Sequence, residues 1–176
     1  MKICSLASGS SGNCIYISDG DSHILVDAGI SRKRIVDGLK ELNVTPDMLS
    51  GIFITHEHSD HIKGIEMMEK YFNVPLYATN GTFRGVNKSC KGKLDRDNLN
   101  VIQADTLINI GGLSITPFEI SHDANEPVGF TVVSENKKCS IATDLGKYDD
   151  YILNHLKGSE MLYVEANYDV SMIETG

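Results

Sequence analysis

Long apolar runs are missing from this 176-residue chain. No stretch approaches the ~18 consecutive apolar residues that a membrane-crossing helix needs, so no transmembrane segment is expected. Paired cysteines are missing too. Cys4, Cys14, Cys90 and Cys139 are scattered without a Cys-x-x-Cys spacing, which argues against a disulfide framework or a cysteine zinc knuckle and makes reduced thiols in a cytoplasm the default. The amino terminus lacks the build of a signal peptide, since Met1 to Ala7 reads directly as strand. No linker, low-complexity tract or repeat divides the sequence, and a single domain over 1–176 with room for a real core is expected. Positive charge is scarce: 16 Lys and Arg face 24 Asp and Glu, and a net charge of −8 argues against wholesale electrostatic attraction to nucleic acid. The basic residues are unevenly spread, with Arg84, Lys88, Lys91, Lys93 and Arg96 in one stretch and Arg32, Lys33 and Arg34 in a smaller group. Taken alone each group reads as solvated surface; a phosphate-contacting role arises only if nearby chemistry acts on phosphodiesters.

Histidine, by contrast, is concentrated. Three of the six histidines fall in the run His56-Glu57-His58-Ser59-Asp60-His61. Neutral imidazoles and carboxylates together form the ligand set of Zn²⁺ and similar divalent ions. Gly51–Thr55 reads as a short buried strand, so His56 and His58 leave its end on one side of extended chain. Asp60 and His61 follow where a helix opens, aimed at a second point nearby. Taken singly, Ser59 or Asp60 reads as a helix N-cap, and a lone strand-end histidine as one satisfied by a backbone carbonyl. All four together point to a metal centre.

Strands and helices interleave along the chain. Strand patterns cover Lys2–Leu6, Cys14–Ser18, His23–Asp27 and Pro75–Ala78, and helical stripes cover Ser31–Asn43, His61–Phe72 and, more weakly, Thr82–Lys88. From Leu99 to Ala142 the pattern turns to strand, with runs at Leu107–Ile110, Leu113–Ile120, Val128–Ser134 and Cys139–Ala142. A helix over Tyr148–Leu156 and a strand over Met161–Glu165 follow. With no sustained βαβ rhythm, this mixture suggests two packed sheets with helices outside. Two more ligand candidates stand at strand ends in the β-rich half. They are His122, in Ser121-His122-Asp123-Ala124, and Asp144, in Thr143-Asp144-Leu145-Gly146. Alone, Asp144 reads equally well as an N-cap. His23 in its strand and His155 in mid-helix read as structural and surface positions.

The run Thr55 to His61 resembles the signature of the metallo-β-lactamase superfamily, with His122 and Asp144 matching two further motifs and Asp27, in Leu25-Val26-Asp27-Ala28-Gly29, a third. Leu6 to Asn13, Ser121 to Ala124 with Pro127 and Gly129-Phe130, and Glu165-Ala166-Asn167-Tyr168-Asp169 resemble the YycJ (WalJ) branch. The resemblance implies an α/β (α+β) fold, a four-layer αββα sandwich whose second half is incomplete because the family continues beyond the Glu165–Asp169 motif. It implies two divalent ions, Zn²⁺ or Mn²⁺ with Fe²⁺ also admitted. His56, His58 and His122 would hold the first, Asp60 and His61 the second, with Asp144 between them. The family's late histidine has no counterpart here, so the second position is expected to be weakened. An uncovered sheet edge or core face is the matching structural expectation.

The chemistry so implied is hydrolysis by a water shared between the ions, with Asp60 orienting the nucleophile. The branch implies a phosphodiesterase or nuclease, specifically a 5′-to-3′ exonuclease on double-stranded DNA, in the cytoplasm, with nucleic acid as its substrate and no membrane partner. In that setting the basic stretch, the Ser8–Asn13 turn, Glu165 and Asn167 become candidates for substrate contact. Two alternatives stay open: a thioester or lactone hydrolase sharing the same histidine run, and a non-catalytic remnant that binds one metal or a partner.

Overall fold

Alternation along the first strands decides which layer each side chain meets. The structure, a computed structural model, describes residues 1–165. Strands β1 (Lys2–Ala7), β2 (Cys14–Ser18), β3 (His23–Val26), β4 (Leu49–Phe53), β5 (Leu76–Ala78) and β6 (Leu99–Val101) lie side by side in that order. Tyr16, Leu25, Ile52 and Leu76 point to one face, and Ile15, Ile17, Ile24, Val26 and Phe53 to the other. The first face is covered by α1 (Arg32–Glu41), α3 (Ile65–Phe72) and α4 (Asn80–Ser89) through Ile35, Leu39, Ile65, Met68, Phe83 and Val86. The second face meets another sheet, ordered β11 (Met161–Val164), β10 (Lys137–Ala142), β9 (Val128–Ser134), β8 (Leu113–Glu119) and β7 (Ile108–Ile110). Its inward residues Leu113, Ile115, Phe130, Val132 and Ile141 complete the inter-sheet core, where Phe53 and Phe130 meet edge to face at 5.6 Å. Among the described residues one helix, α5 (Asp150–Leu156), covers the far side of this sheet over Phe118, Ile120 and Ala142. The layers therefore run helix, sheet, sheet, helix, the αββα order expected.

Three expectations change. The first half does carry a βαβ rhythm: β3, β4, β5 and β6 are parallel, and a helical crossover joins each to the next. It is hidden because β5 and β6 have three residues each and two residues of β6 are only half-buried. The helix expected over His61–Phe72 is two helices, α2 (Ser59–Ile62) and α3, divided at Lys63–Gly64. Gly64 sits so close to the β3–α1 loop that a Cβ there would lie 2.4 Å from the Ile30 carbonyl oxygen, and its N–H donates to Ala28 O at 2.7 Å. That close approach outweighs continuing the helix. His155, expected at the surface, is stacked on Phe118 at 4.8 Å, and its Nε2 lies 3.1 Å from Asp105 Oδ1. The half-buried ring lets α5 dock by a polar contact as well as an apolar one.

Strand β11 forms an edge of the second sheet, and its Met161, Leu162 and Val164 are exposed. Both sheets direct their ends toward the loops that carry the histidine run, His122 and Asp144, and this shared rim is where the chemistry-bearing residues gather.

Candidate metal centre

The site begins with a buried carboxylate. Asp27 follows β3 in a left-handed conformation, φ 60°, which aspartate tolerates better than most residues. It is 1% exposed, and every contact it makes organises the neighbouring loop. Its Oδ1 accepts from Thr55 N at 2.8 Å, and its Oδ2 accepts from Thr55 Oγ1 at 2.9 Å and from His61 Nδ1 at 2.7 Å. With Nδ1–H donating to Asp27, His61 Nε2 is turned the other way, into the cleft, where its lone pair becomes available once its proton is displaced. Thr55 Oγ1 also lies 3.0 Å from His56 Nδ1, so the same hydroxyl steadies two rings.

Beyond β4 the chain is extended through His56 and His58, and α2 then carries Asp60 and His61. Three nitrogens converge at the first point. His58 Nδ1 lies 3.1 Å from His56 Nε2 and 3.1 Å from His122 Nε2. Two nitrogens held about 2.0–2.1 Å from one ion are separated by about this distance. His56, His58 and His122 therefore fit one divalent cation by donor type and by spacing. At the second point His61 Nε2 is 2.9 Å from Asp144 Oδ2, which is 3.8 Å from His56 Nε2. His56, His61 and Asp144 form a second group with metal-holding geometry, entirely buried. Asp60 belongs to neither tight group. Its Oδ2 is 3.6 Å from His61 Nε2, and 33% of its side chain is exposed. The structure thus brings five of the six expected residues into two adjoining clusters that share His56, with Asp60 at the margin of the second.

The electrostatics suit ligation. Burial and the three neighbouring histidines drive the His56 pKa down to about 2, so its ring is neutral and its lone pair available. Burial also acts to lower His61, but the charges and hydrogen bonds of Asp27 and Asp144 outweigh it and push the metal-free ring up to about 10. The hydrogen bond from His61 holds the Asp144 carboxyl low against the opposing effect of burial. Glu165, just after β11, is pushed up by burial and by the charges of Asp144 and Asp60, and among the described residues its buried Oε2 has no hydrogen-bond partner. Glu165 therefore stands within electrostatic reach of the centre; Asn167 lies outside the described residues.

Sequence reasoning missed the supports. Asn13, read only as part of a turn, accepts from Gly9 N at 3.0 Å through Oδ1 and places Nδ2 3.1 Å from His61 Nε2. Glu57, between the two histidines, accepts from Asn125 N at 2.9 Å and so ties the His122 loop to the His56 loop. Glu126 fastens the same loop to α4, accepting from Gly81 N through Oε2 while its carbonyl accepts from Thr79 Oγ1 at 2.8 Å. A carboxylate at the first turn of α4 also complements the helix dipole. Only the small size of Gly81 and Gly85, four residues apart on one face of α4, signals this in the sequence, because Cβ atoms there would collide with Glu126 and Glu57. The basic stretch divides: Arg84 and Lys88 lie on α4, whereas Lys93 is paired with Glu66 at 3.0 Å away from the site.

Two sheets enclosing a rim of histidines and carboxylates define the metallo-hydrolase class of αββα proteins. The chain belongs to the β-lactamase superfamily, whose domain model matches residues 22–174. It is 35% identical over 176 residues to the exodeoxyribonuclease WalJ of Streptococcus pneumoniae, covering 99% of this chain and 65% of that protein. It is 33% identical over 171 residues to the exodeoxyribonuclease YycJ of Bacillus anthracis, covering 97% of this chain and 64% of the relative. The chain thus spans a little under two thirds of the length of these relatives. A metallo-β-lactamase from Cronobacter sakazakii superposes with a TM-score of 0.71 at 14% identity, over 93% of this chain and 76% of the other, which establishes the shared fold. Among the described residues no helix is long and apolar enough to cross a membrane.

Proposed function

We propose that this chain carries the active site of a metal-dependent nuclease, a 5′-to-3′ exonuclease on double-stranded DNA. The observation that carries the reading is the pair of adjoining His and His/Asp clusters in a chain 33–35% identical to two exodeoxyribonucleases. His56, His58 and His122 would hold one ion, and His61, Asp144 and Asp60 a second, either Zn²⁺ or Mn²⁺. When bound, such ions would polarise a phosphoryl oxygen and lower the pKa of a water toward hydroxide at neutral pH. The protein's own groups do the rest. Asp27 keeps His61 in the tautomer whose Nε2 faces the cleft. Neutral His56 presents a lone pair in place of a competing proton. Asp60, a carboxylate beside His61 that is partly open to solvent, orients the attacking water and passes its proton outward. Four free cysteines fit a reducing compartment such as the cytoplasm.

The test is a substrate panel: linear duplex DNA, bis-p-nitrophenyl phosphate and a thioester, each with added Mn²⁺ or Zn²⁺. Duplex degradation from the 5′ end is the expected result, and thioester turnover alone would instead favour the small-molecule hydrolase. His58→Ala and Asp60→Ala should each abolish turnover; activity retained in either would overturn the role given to that residue.

A further inference from the structure

A pocket of about 590 Å³ opens next to Asp60, lined by Ser10 and Ser11 from the β1–β2 turn, Ser59 and Lys63 from the α2 region, and Ser89 at the end of α4. Because Asp60 borders the pocket and also lies 3.6 Å from His61 Nε2, the pocket and the metal centre share a wall. Its lining is rich in donors and poor in acceptors. Four hydroxyls and an ammonium face a single carboxylate, and that carboxylate belongs to the proposed metal set. Among the described residues Lys63 has no ion-pair partner, and the backbone N–H groups of Ser10 and Ser11 donate no hydrogen bond. Asn13 fixes the turn from below, through Gly9 N on Oδ1 and through its own N–H on Asp60 O at 2.7 Å. Exposed Arg84 and Lys88, one helical turn apart on α4, add positive potential beside Ser89.

With Ile62 and Gly29 completing its wall, a site that offers uncompensated donors and a cation free of ion pairs among the described residues selects a tetrahedral oxyanion over a second cation. We infer that this pocket holds the internucleotide phosphate next to the scissile one, with Lys63 as its cation and the Ser59 and Ser89 hydroxyls as donors. The inference rests on the nuclease reading, since an internucleotide phosphate beside the scissile one exists only in a nucleic-acid substrate.

The test is fluorescence anisotropy of a short duplex with phosphorothioate ends, titrated with the metal-loaded chain over a range of salt concentrations, for wild type, Lys63→Met and the control Lys137→Met, exposed at the end of β10 opposite Asp144. Lys63→Met should weaken binding by roughly fivefold to tenfold at low salt and lower the salt slope by about one. Its metal content should not change, and Lys137→Met should match wild type. The loss should be the same with and without a 5′-terminal phosphate on the duplex. A wild-type Kd and salt slope in Lys63→Met would overturn the subsite, and so would wild-type protein that binds no duplex. A loss confined to the 5′-phosphorylated duplex would overturn the internal assignment, and loss of metal would make Lys63 a support of the metal centre instead. Binding that depends on Lys63 without any cleavage of unmodified DNA would leave the pocket standing and sink the nuclease reading alone.

Discussion

Replacing Asp27 with asparagine isolates one charge at the base of the site. Asparagine tolerates the left-handed backbone at φ 60° and keeps an oxygen for Thr55 N, so the strand end is undisturbed. What changes is the partner of His61. The carboxylate Oδ2 accepts from His61 Nδ1 at 2.7 Å inside a region where both side chains are at most 1% exposed. An amide NH₂ in that place donates to Nδ1 instead, and the remaining ring hydrogen moves to Nε2, the atom that faces Asp144. The ring then meets a cation with N–H rather than a lone pair. A buried charge-assisted hydrogen bond contributes about 1.5–3 kcal/mol, and loss of such a partner to a metal-binding histidine weakens the metal roughly tenfold to a hundredfold. The loss should fall on one position only, because His56, His58 and His122 do not touch Asp27. Chelator-competition titration with Zn²⁺ should therefore show Asp27→Asn retaining its tighter ion and binding the other at least tenfold more weakly. Equal affinity at both positions, or weakening confined to the tighter one, would refute the reasoning.

Metal loading should be coupled to pH. The metal-free His61 pKa, near 10, stands above the unfolded value of about 6.5. Its contribution to metal-free stability is thus complete below that value and fades as pH rises through about 10. The cation must displace the same proton, so calorimetry near neutral pH, in buffers of different ionisation enthalpy, should show about one proton released per chain and affinity that climbs with pH. Gly85→Ala ought to stabilise an isolated helix by about 1 kcal/mol. Here the new Cβ would lie 2.3 Å from Glu57 Cγ and push that carboxylate off Asn125, so the variant should melt lower and bind metal more weakly; a higher Tm would contradict the packing described. His155→Ala removes the ring stacked on Phe118 and the contact with Asp105, and should cost about 1–3 kcal/mol in chemical denaturation. Metal affinity should not change, because α5 lies on the far side of the second sheet.

The candidate ligand residues were legible through a dense histidine run, two strand-end positions and the family resemblance that joined them. His56, His58 and His61 are consecutive enough to be noticed together, and His122 and Asp144 were found by asking where strands stop. Of their supports, Asp27 was marked by the resemblance, and the others were not legible. Asn13 and Glu57 reach partners 48 and 68 residues away in the chain, and nothing local distinguishes an asparagine in a turn from one that meets a histidine. The parallel order of β3 to β6 escaped for a different reason: pattern reading needs length, and β5 and β6 have three residues each. The interruption at Gly64 escaped because its cause, the Ile30 carbonyl, belongs to another loop. What a sequence displays is the chemistry of single residues and the period of long elements; contacts between short, distant ones must be seen.

The donors come from both sheets. His56, His58 and His61 follow strands of the first, and His122 and Asp144 follow β8 and β10 of the second. Any cation they hold is a rivet through the seam of the sandwich, and prising the halves apart must first release it. At a free-ion concentration a hundred times its Kd, such a rivet adds about 2.7 kcal/mol to the folded state. Metal starvation would accordingly reach beyond turnover: it would loosen the seam, open the chain to proteases, and make the amount of this protein in a cell rise and fall with the supply of its ions.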